Sequence, residues 1–304
     1  MEEKKESLIS DAVDYTGSIA DRTTTGGWVS ATLILGIEAC ERFSTMGIII
    51  NLVTYLIGTM HLSSVTSANI VTTSGGSSFL LCLVGGYVAD SFLGRYWTIV
   101  ISAAIHALGS GILTISTILP QLRPPPCNPA LSDKCEKANS LQMGVLYTAI
   151  YLNAVGIGGI KSTVSGFGTD QFDQKDKKEK SQMAHFFNRF YFLISAGTLL
   201  AVTVLVYIED DVGRSWGYGI CSSAMVVAIF AFLSGTRKYR YKKCVGSPVV
   251  QVLRVLAAAM KKRKLEFPSS VGLLYEDASQ ESRICHTDRF WYVLSLWKLA
   301  CCFL

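Results

Sequence analysis

"GIEACERFSTMGI", residues 36–48, sets two glutamates and an arginine inside a stretch that is otherwise apolar and helix-forming. At helical spacing Glu38, Glu41 and Arg42 stand at i, i+3 and i+4 and share one face. Each costs about 2.5–3.5 kcal/mol at mid-membrane on insertion scales, and Arg42 offsets part of this by pairing with Glu38. One carboxylate is then left over. Two readings follow: a static ion-pair cluster that fixes helix packing, or a desolvated carboxylate that takes up and releases a proton near neutral pH.

The surrounding composition makes the stretch a membrane segment. Half of the 304 residues are hydrophobic, 17% are charged, and the mean hydropathy is +0.35. Six stretches are long and apolar enough to predict spans, at roughly 28–57, 65–89, 96–119, 141–167, 185–208 and 215–234. Residues 1–27 read as a polar cytoplasmic lead-in, 28–234 as a six-helix bundle, 235–290 as a basic cytoplasmic linker with an amphipathic helix, and 291–304 as a divergent apolar tail. The first stretch is too long and too charged for a signal peptide.

The formal charge of +5 does not point to nucleic acid, because the basic residues fall between spans, where they set topology. "DQKDKKEK" and "TRKYRYKK" predict that both termini are cytoplasmic; Arg123, Lys134 and Lys137 in the opposite loop argue mildly against it. Cys127 and Cys135 share that loop and are either a disulfide or two free thiols. No P-loop, nucleophile elbow or zinc motif occurs, so neither an ATP-driven pump nor a membrane hydrolase is supported, and no cofactor is expected beyond the proton itself.

Further charges sit at telling positions. Lys161 ends "LNAVGIGGIK", where Gly156, Gly158 and Gly159 admit a close neighbouring helix; it faces that interface or a cavity, or snorkels to the membrane surface. Asn51 and Tyr55 fall further along the first span and are candidates for the same cavity. In "GGYVADSFLGRYW", Asp90, Gly94 and Arg95 form a turn whose charges can bridge to a neighbouring helix end, against the alternative of a solvated loop. Ser91 in this turn is a candidate phosphorylation site that would add charge beside Asp90. "YIEDDVGRSWGYGI" reads as an acidic external turn with Trp216 and Tyr218 as interface anchors, and His106 as a packed or interface histidine.

"EACERF", "GGYVADSFLGRYWT", "GFGTDQFD", "FFNRFYF" and "VGRSWGYGI" together resemble the proton-coupled oligopeptide transporter family. Their wording is similar to the plant nitrate transporter 1/peptide transporter branch, in particular the dual-affinity nitrate subgroup, from about Asp14 to Phe290. The resemblance implies an all-α major facilitator fold, of which this is the N-terminal six-helix bundle, and alternating access with proton symport. It implies that Glu38, Glu41 and Arg42 couple the proton, that Lys161 forms a salt bridge across bundles, and that the solute is nitrate, with a peptide or other small solute as the alternative. Ser195 stands where the family usually carries Asn. After "CHTDRF" the chain departs from the family pattern, which predicts a truncated or alternatively spliced form without the six C-terminal helices. A plasma-membrane protein is expected, acting alone, as a homo-oligomer, or as a non-transporting partner of a full-length relative.

Overall fold

The computed structural model describes residues 8–126 and 136–242, and beyond them Val252, Leu256, Ala257, Met260 and Lys261. Two strands, β1 (Leu8–Val13) and β2 (Ile19–Asp21), form an antiparallel ribbon within what the sequence reading takes as a plain lead-in. Six long helices follow: α1 (Gly27–Gly58), α2 (Ser64–Val88), α3 (Gly94–Ile118), α4 (Ser140–Thr169), α5 (Lys177–Leu200) and α6 (Arg214–Ser234). Residues up to Leu253 form one compact unit; of the second unit, from Arg254, the described residues Leu256, Ala257, Met260 and Lys261 are helical. Cys127 and Cys135, paired or free, most of the linker and the apolar tail lie outside the described residues.

The helix starts are written locally. The Ser63 side chain caps α2 by accepting from the Thr66 amide, Asp176 does the same for α5 from Lys178, and Asn139 with Gln142 makes a reciprocal capping box at α4. Between α2 and α3 the backbone widens into a π-helical turn at Ala89–Leu93 and breaks at Gly94, whose φ of 77° lies in the region that glycine adopts without a Cβ clash.

Among the described residues four stretches are long and apolar enough to cross a membrane by length and composition: Ser64–Ile118, which holds both α2 and α3, Ser140–Thr169, Lys177–Val212 and Arg214–Ser234. α1 carries Glu38, Glu41 and Arg42 and is not among them. Large apolar side chains such as Phe79, Leu80, Leu83, Tyr191, Phe192 and Phe230 point outward, as they would toward lipid.

Close backbone approach holds the middle of the bundle together. A Cβ on Gly156 would come within 2.7 Å of the Ser102 carbonyl and the His106 amide nitrogen, and one on Gly109 would come within 2.9 Å of the Ala149 carbonyl, so α3 and α4 lie against each other almost without side chains. Gly158 meets Leu81 of α2 in the same way, as the glycine spacing predicts. Two clusters fill the remaining interior. Near the ribbon, Tyr96 packs on Phe167, Phe232 and Tyr239; toward the other end, Leu52, Tyr55, Leu113 and Tyr218 meet.

A polar knot ties the segments before α1 and after α6 to the α4–α5 connection. Arg240 is buried; its Nη1 donates to the Gln171 carbonyl (3.0 Å) and Glu179 Oε2 (2.7 Å), and its Nε to the Thr25 carbonyl (3.0 Å). Arg22 pairs with Asp173 at 2.5 Å. Burial pushes the Asp173 carboxyl up, but the Lys175 amide and Arg22 outweigh it and hold the group below the ordinary carboxylate range.

Three outcomes follow for the purified chain in detergent or nanodiscs. Gly156→Ala should lower stability by about 1–3 kcal/mol, because rigid backbone must move, while Gly36→Ala, whose Cβ meets nothing within 4 Å, should not. Arg240→Ala leaves Glu179 without its buried partner and should cost about 3–5 kcal/mol. A depressed folded-state value for Asp173 means that its stabilisation is complete above the unfolded-state value and is lost as pH falls through the folded one. Thermal melts across acid pH should therefore show a smaller acid-induced loss for Asp173→Asn than for the parent.

Candidate functional site

α1 runs through the bundle against α5 and α6, and its charged face is turned inward. Glu38 and Glu41 are 2% and 0% exposed. Arg42 Nη2 stands 3.5 Å from Glu38 Oε1 and 3.8 Å from Glu41 Oε2, so one guanidinium faces two carboxylates at loose range. The Thr45 hydroxyl donates to Glu41 Oε1 at 2.8 Å, one turn further along. Glu38 Oε2 and Arg42 Nε have no hydrogen bond among the described residues. The sequence expectation of two acids and one base on a shared face is thus met in geometry, with both acids in reach of the same cation.

Lys161 lies half-buried on α4, its Nζ 5.1 Å from the centre of the Phe79 ring of α2. It is near enough to act on Glu38 through its field, yet it forms no ion pair with the described residues. Ammonium over an aromatic face is a cation–π contact, which holds the side chain without neutralising it. Phe79 is itself 67% exposed, so the contact lies at the rim of the α2–α4 packing.

Asn51 and Tyr55 stand elsewhere than the shared cavity suggested for them. Both are buried in the packing of α1 against α6, with Tyr55 edge-on to Tyr218 at 6.1 Å. The reason is a feature the sequence reading placed in an external turn. After α5 the backbone forms two π-helical turns, Ala201–Leu205 and Ile208–Val212, and the second carries Glu209 inward until it is 1% exposed. Its carboxylate packs on Gly217, where a Cβ would come within 2.7 Å of Oε1, and neither oxygen completes a hydrogen bond with the described residues. Arg214 reaches the Asn51 carbonyl (3.2 Å) and Thr54 Oγ1 (3.1 Å) beside it. Tyr218 is buried and so is no interface anchor; Trp216, 64% exposed, keeps that role. The signal missed was the glycine at 217, which clears the space that an acidic side chain eight residues earlier occupies.

The turn between α2 and α3 is charged across to α4. Arg95 Nη1 lies 2.7 Å from Asp170 Oδ2 and its Nε 3.6 Å from Asp90, and Lys242 approaches Asp170 at 3.6 Å. Burial pushes the Asp170 carboxyl above its ordinary value against the opposing pull of Arg95 and Lys242. Ser91 lies half-buried in the π-helical turn next to Asp90. His106 is fully buried, its Nε2 3.0 Å from the Ser44 hydroxyl. Among the described residues no cluster of His, Cys, Asp and Glu could hold a metal ion.

Apolar helices packed round buried charges define an integral membrane protein with the architecture of a transporter bundle. Residues 96–297 match the POT family, and the chain belongs to it. Among curated proteins of Arabidopsis thaliana it is 61% identical to Protein NRT1/PTR FAMILY 6.2 over 290 residues and 55% identical to Protein NRT1/PTR FAMILY 6.3 over 298. Those alignments take in 95% of this chain and 50% of each relative, so the chain spans about half the length of the relatives it matches. The POT family transporter PepTSo superposes with a TM-score of 0.64 at 27% identity, over 81% of this chain and 45% of that one. An auto-inhibited POT family peptide transporter gives 0.59 at 25% identity, over 78% and 48%. These relatives and neighbours are transporters rather than enzymes.

One guanidinium between two buried acids makes a sharp stability test. Arg42→Leu strands both carboxylates and should cost about 3–5 kcal/mol, and Glu38→Gln/Glu41→Gln in the same chain should restore most of it. Melting curves of the single, double and triple variants in one lipid composition check the cycle.

Proposed function

We propose that this chain carries the proton-coupling half of a nitrate symporter. The observation that carries the reading is the Glu38–Glu41–Arg42 cluster: two carboxylates removed from water face one guanidinium, which leaves a negative charge that a proton can cancel. In this reading Glu38 and Glu41 share the proton, Arg42 holds them in register, and proton occupancy changes how α1 packs. Lys161, held over Phe79 without a counter-ion, is the cation available to an anion or to an acidic group presented by another bundle.

Nitrate is favoured because the sequence blocks resemble the nitrate subgroup. Peptide is the second reading, and what favours it is that a solved neighbour is described as a peptide transporter. The Asp90–Arg95–Asp170 bridge serves as a lock on the α2–α4 end that opens and closes with the transport cycle, and a phosphate on Ser91 would weaken it by adding charge beside Asp90. The plasma membrane, with both termini cytoplasmic, is the proposed setting. The chain works as a homo-oligomer or beside a full-length relative; in the latter case it modifies that relative without transporting.

The test is uptake of labelled nitrate and of a labelled dipeptide in oocytes at acid and neutral external pH, with surface protein quantified. Acid-stimulated nitrate uptake that falls at least tenfold in Glu41→Gln is the expected result, on the order of the 1.4 kcal/mol that a tenfold change represents. Dipeptide uptake in its place selects the second solute. Absence of both at full surface level overturns transport by this chain alone, and co-purification with a full-length relative then tests the partner role.

A further inference from the structure

A small cavity opens inside the bundle, one turn beyond Glu41. It is lined on its apolar side by Ile48, Leu52 and Ile150, and on its polar side by Thr45, Ser74, Ser78, His106 and Asn153, contributed by α1, α2, α3 and α4. Its volume of about 30 Å³ suits one or two water molecules, which need two to four polar partners each. The hydroxyls of Ser74 and Ser78 already donate to backbone carbonyls in their own helix, and that of Thr45 to Glu41, so all three present lone pairs rather than protons.

His106 supplies what the hydroxyls lack. Its Nε2 is taken by Ser44 Oγ, and its buried Nδ1 lies beside the Asn153 backbone without completing a hydrogen bond among the described residues. Whichever ring nitrogen carries the proton, Nδ1 is an unmet donor or an unmet acceptor at zero exposure, a state that costs on the order of a full desolvated polar group unless water completes it. Gly156 packs on the His106 Cβ and amide, which holds this stretch of α3 against α4.

We propose that this cavity holds ordered water that joins Glu41, through Thr45, to His106, and that His106 is a positioning residue for the proton site rather than a core histidine. The chain of contacts runs Glu41 Oε1, Thr45 Oγ1, water, His106 and Ser44, within one bundle and without Lys161. The inference rests on the reading of Glu41 as a proton carrier. The charged and titratable groups about that carboxylate are Glu38 and Arg42 on α1 and Cys82 on α2, with Lys161 of α4 acting on Glu38 and Cys221 of α6 lying beside Ser44. Of the residues lining the cavity, Thr45 is the one that hydrogen-bonds Glu41.

The experiment uses the full chain in lipid nanodiscs, labelled with ¹⁵N-histidine, with His61, His185 and His286 replaced by Gln so that His106 alone reports. Magnetisation transfer from water to the His106 ring is expected, together with a shift of its ring nitrogens in Glu41→Gln. Thr45→Val should abolish that response, and Thr45→Ser, which keeps the hydroxyl, should restore it. A ring that receives no transfer from water, or a Glu41→Gln shift that survives Thr45→Val, overturns the proposal. Acid-stimulated uptake that needs Glu41 beside an unresponsive His106 sinks the link and leaves the proton reading standing. A responsive His106 in a chain whose uptake ignores Glu41→Gln removes the proton and, with it, the positioning role.

Discussion

The closeness of α3 and α4 is the constraint on which the rest of the bundle depends. Gly109 and Gly156 let the two backbones meet with carbonyls and amides at van der Waals range, and no other residue type fits there. That contact fixes where His106, Ser110 and Asn153 stand, with Ser110 Oγ donating to Asn153 Oδ1 at 2.9 Å. It also sets the face of α4 that meets α2, where Gly158 admits Leu81 and Lys161 reaches Phe79. In a membrane, where burial of apolar surface gives helices little reason to associate, such packing and internal hydrogen bonds are the available cohesion.

Two kinds of buried charge sit on this scaffold, and they differ in how completely they are paired. The Arg240 guanidinium is closely paired: it meets two carbonyls and a carboxylate, and Arg22 pairs with Asp173 beside it. Such a group fixes structure. The α1 cluster is loose, with pair distances of 3.5 and 3.8 Å and an oxygen of Glu38 without a partner among the described residues. A loosely paired buried acid is the kind of group whose protonation can alter packing, because few contacts oppose the change. Glu209 belongs with the loose class, at the other end of α1 beside Asn51 and Arg214.

Much of this was legible in the residues. Five of the six apolar stretches fall on described helices to within a few residues; the fifth in sequence, 185–208, differs because Asp176 caps α5 at Lys177, ahead of the apolar run, and the α-helix gives way to π-helical turns after Leu200. The helical spacing of Glu38, Glu41 and Arg42 gives their common face, and the glycines of α4 give its close neighbours. Less legible was the segment after α5. "YIEDDVGRSWGYGI" carries three acids in a row and so reads as solvent-exposed, but two π-helical turns rotate Glu209 into the interior. A single extra residue in a helical turn leaves no mark in hydropathy. Asn51 and Tyr55 followed it, drawn to the α6 interface rather than to the face of Lys161.

By itself the sequence determined the membrane class, the helices, the charged face of α1 and the charged turn at Asp90–Arg95, because periodicity, apolar length and glycine spacing are local properties of the chain. Tertiary structure alone decided which charges are answered. Arg95 finds Asp170 75 residues away, Arg240 finds Glu179 61 residues earlier, and Ser44 finds His106 62 residues on. Lys161 of α4 meets the Phe79 ring of α2. Partnership between buried polar groups depends on which helix faces are pressed together, and that is set by the packing of the whole bundle rather than by any stretch within it.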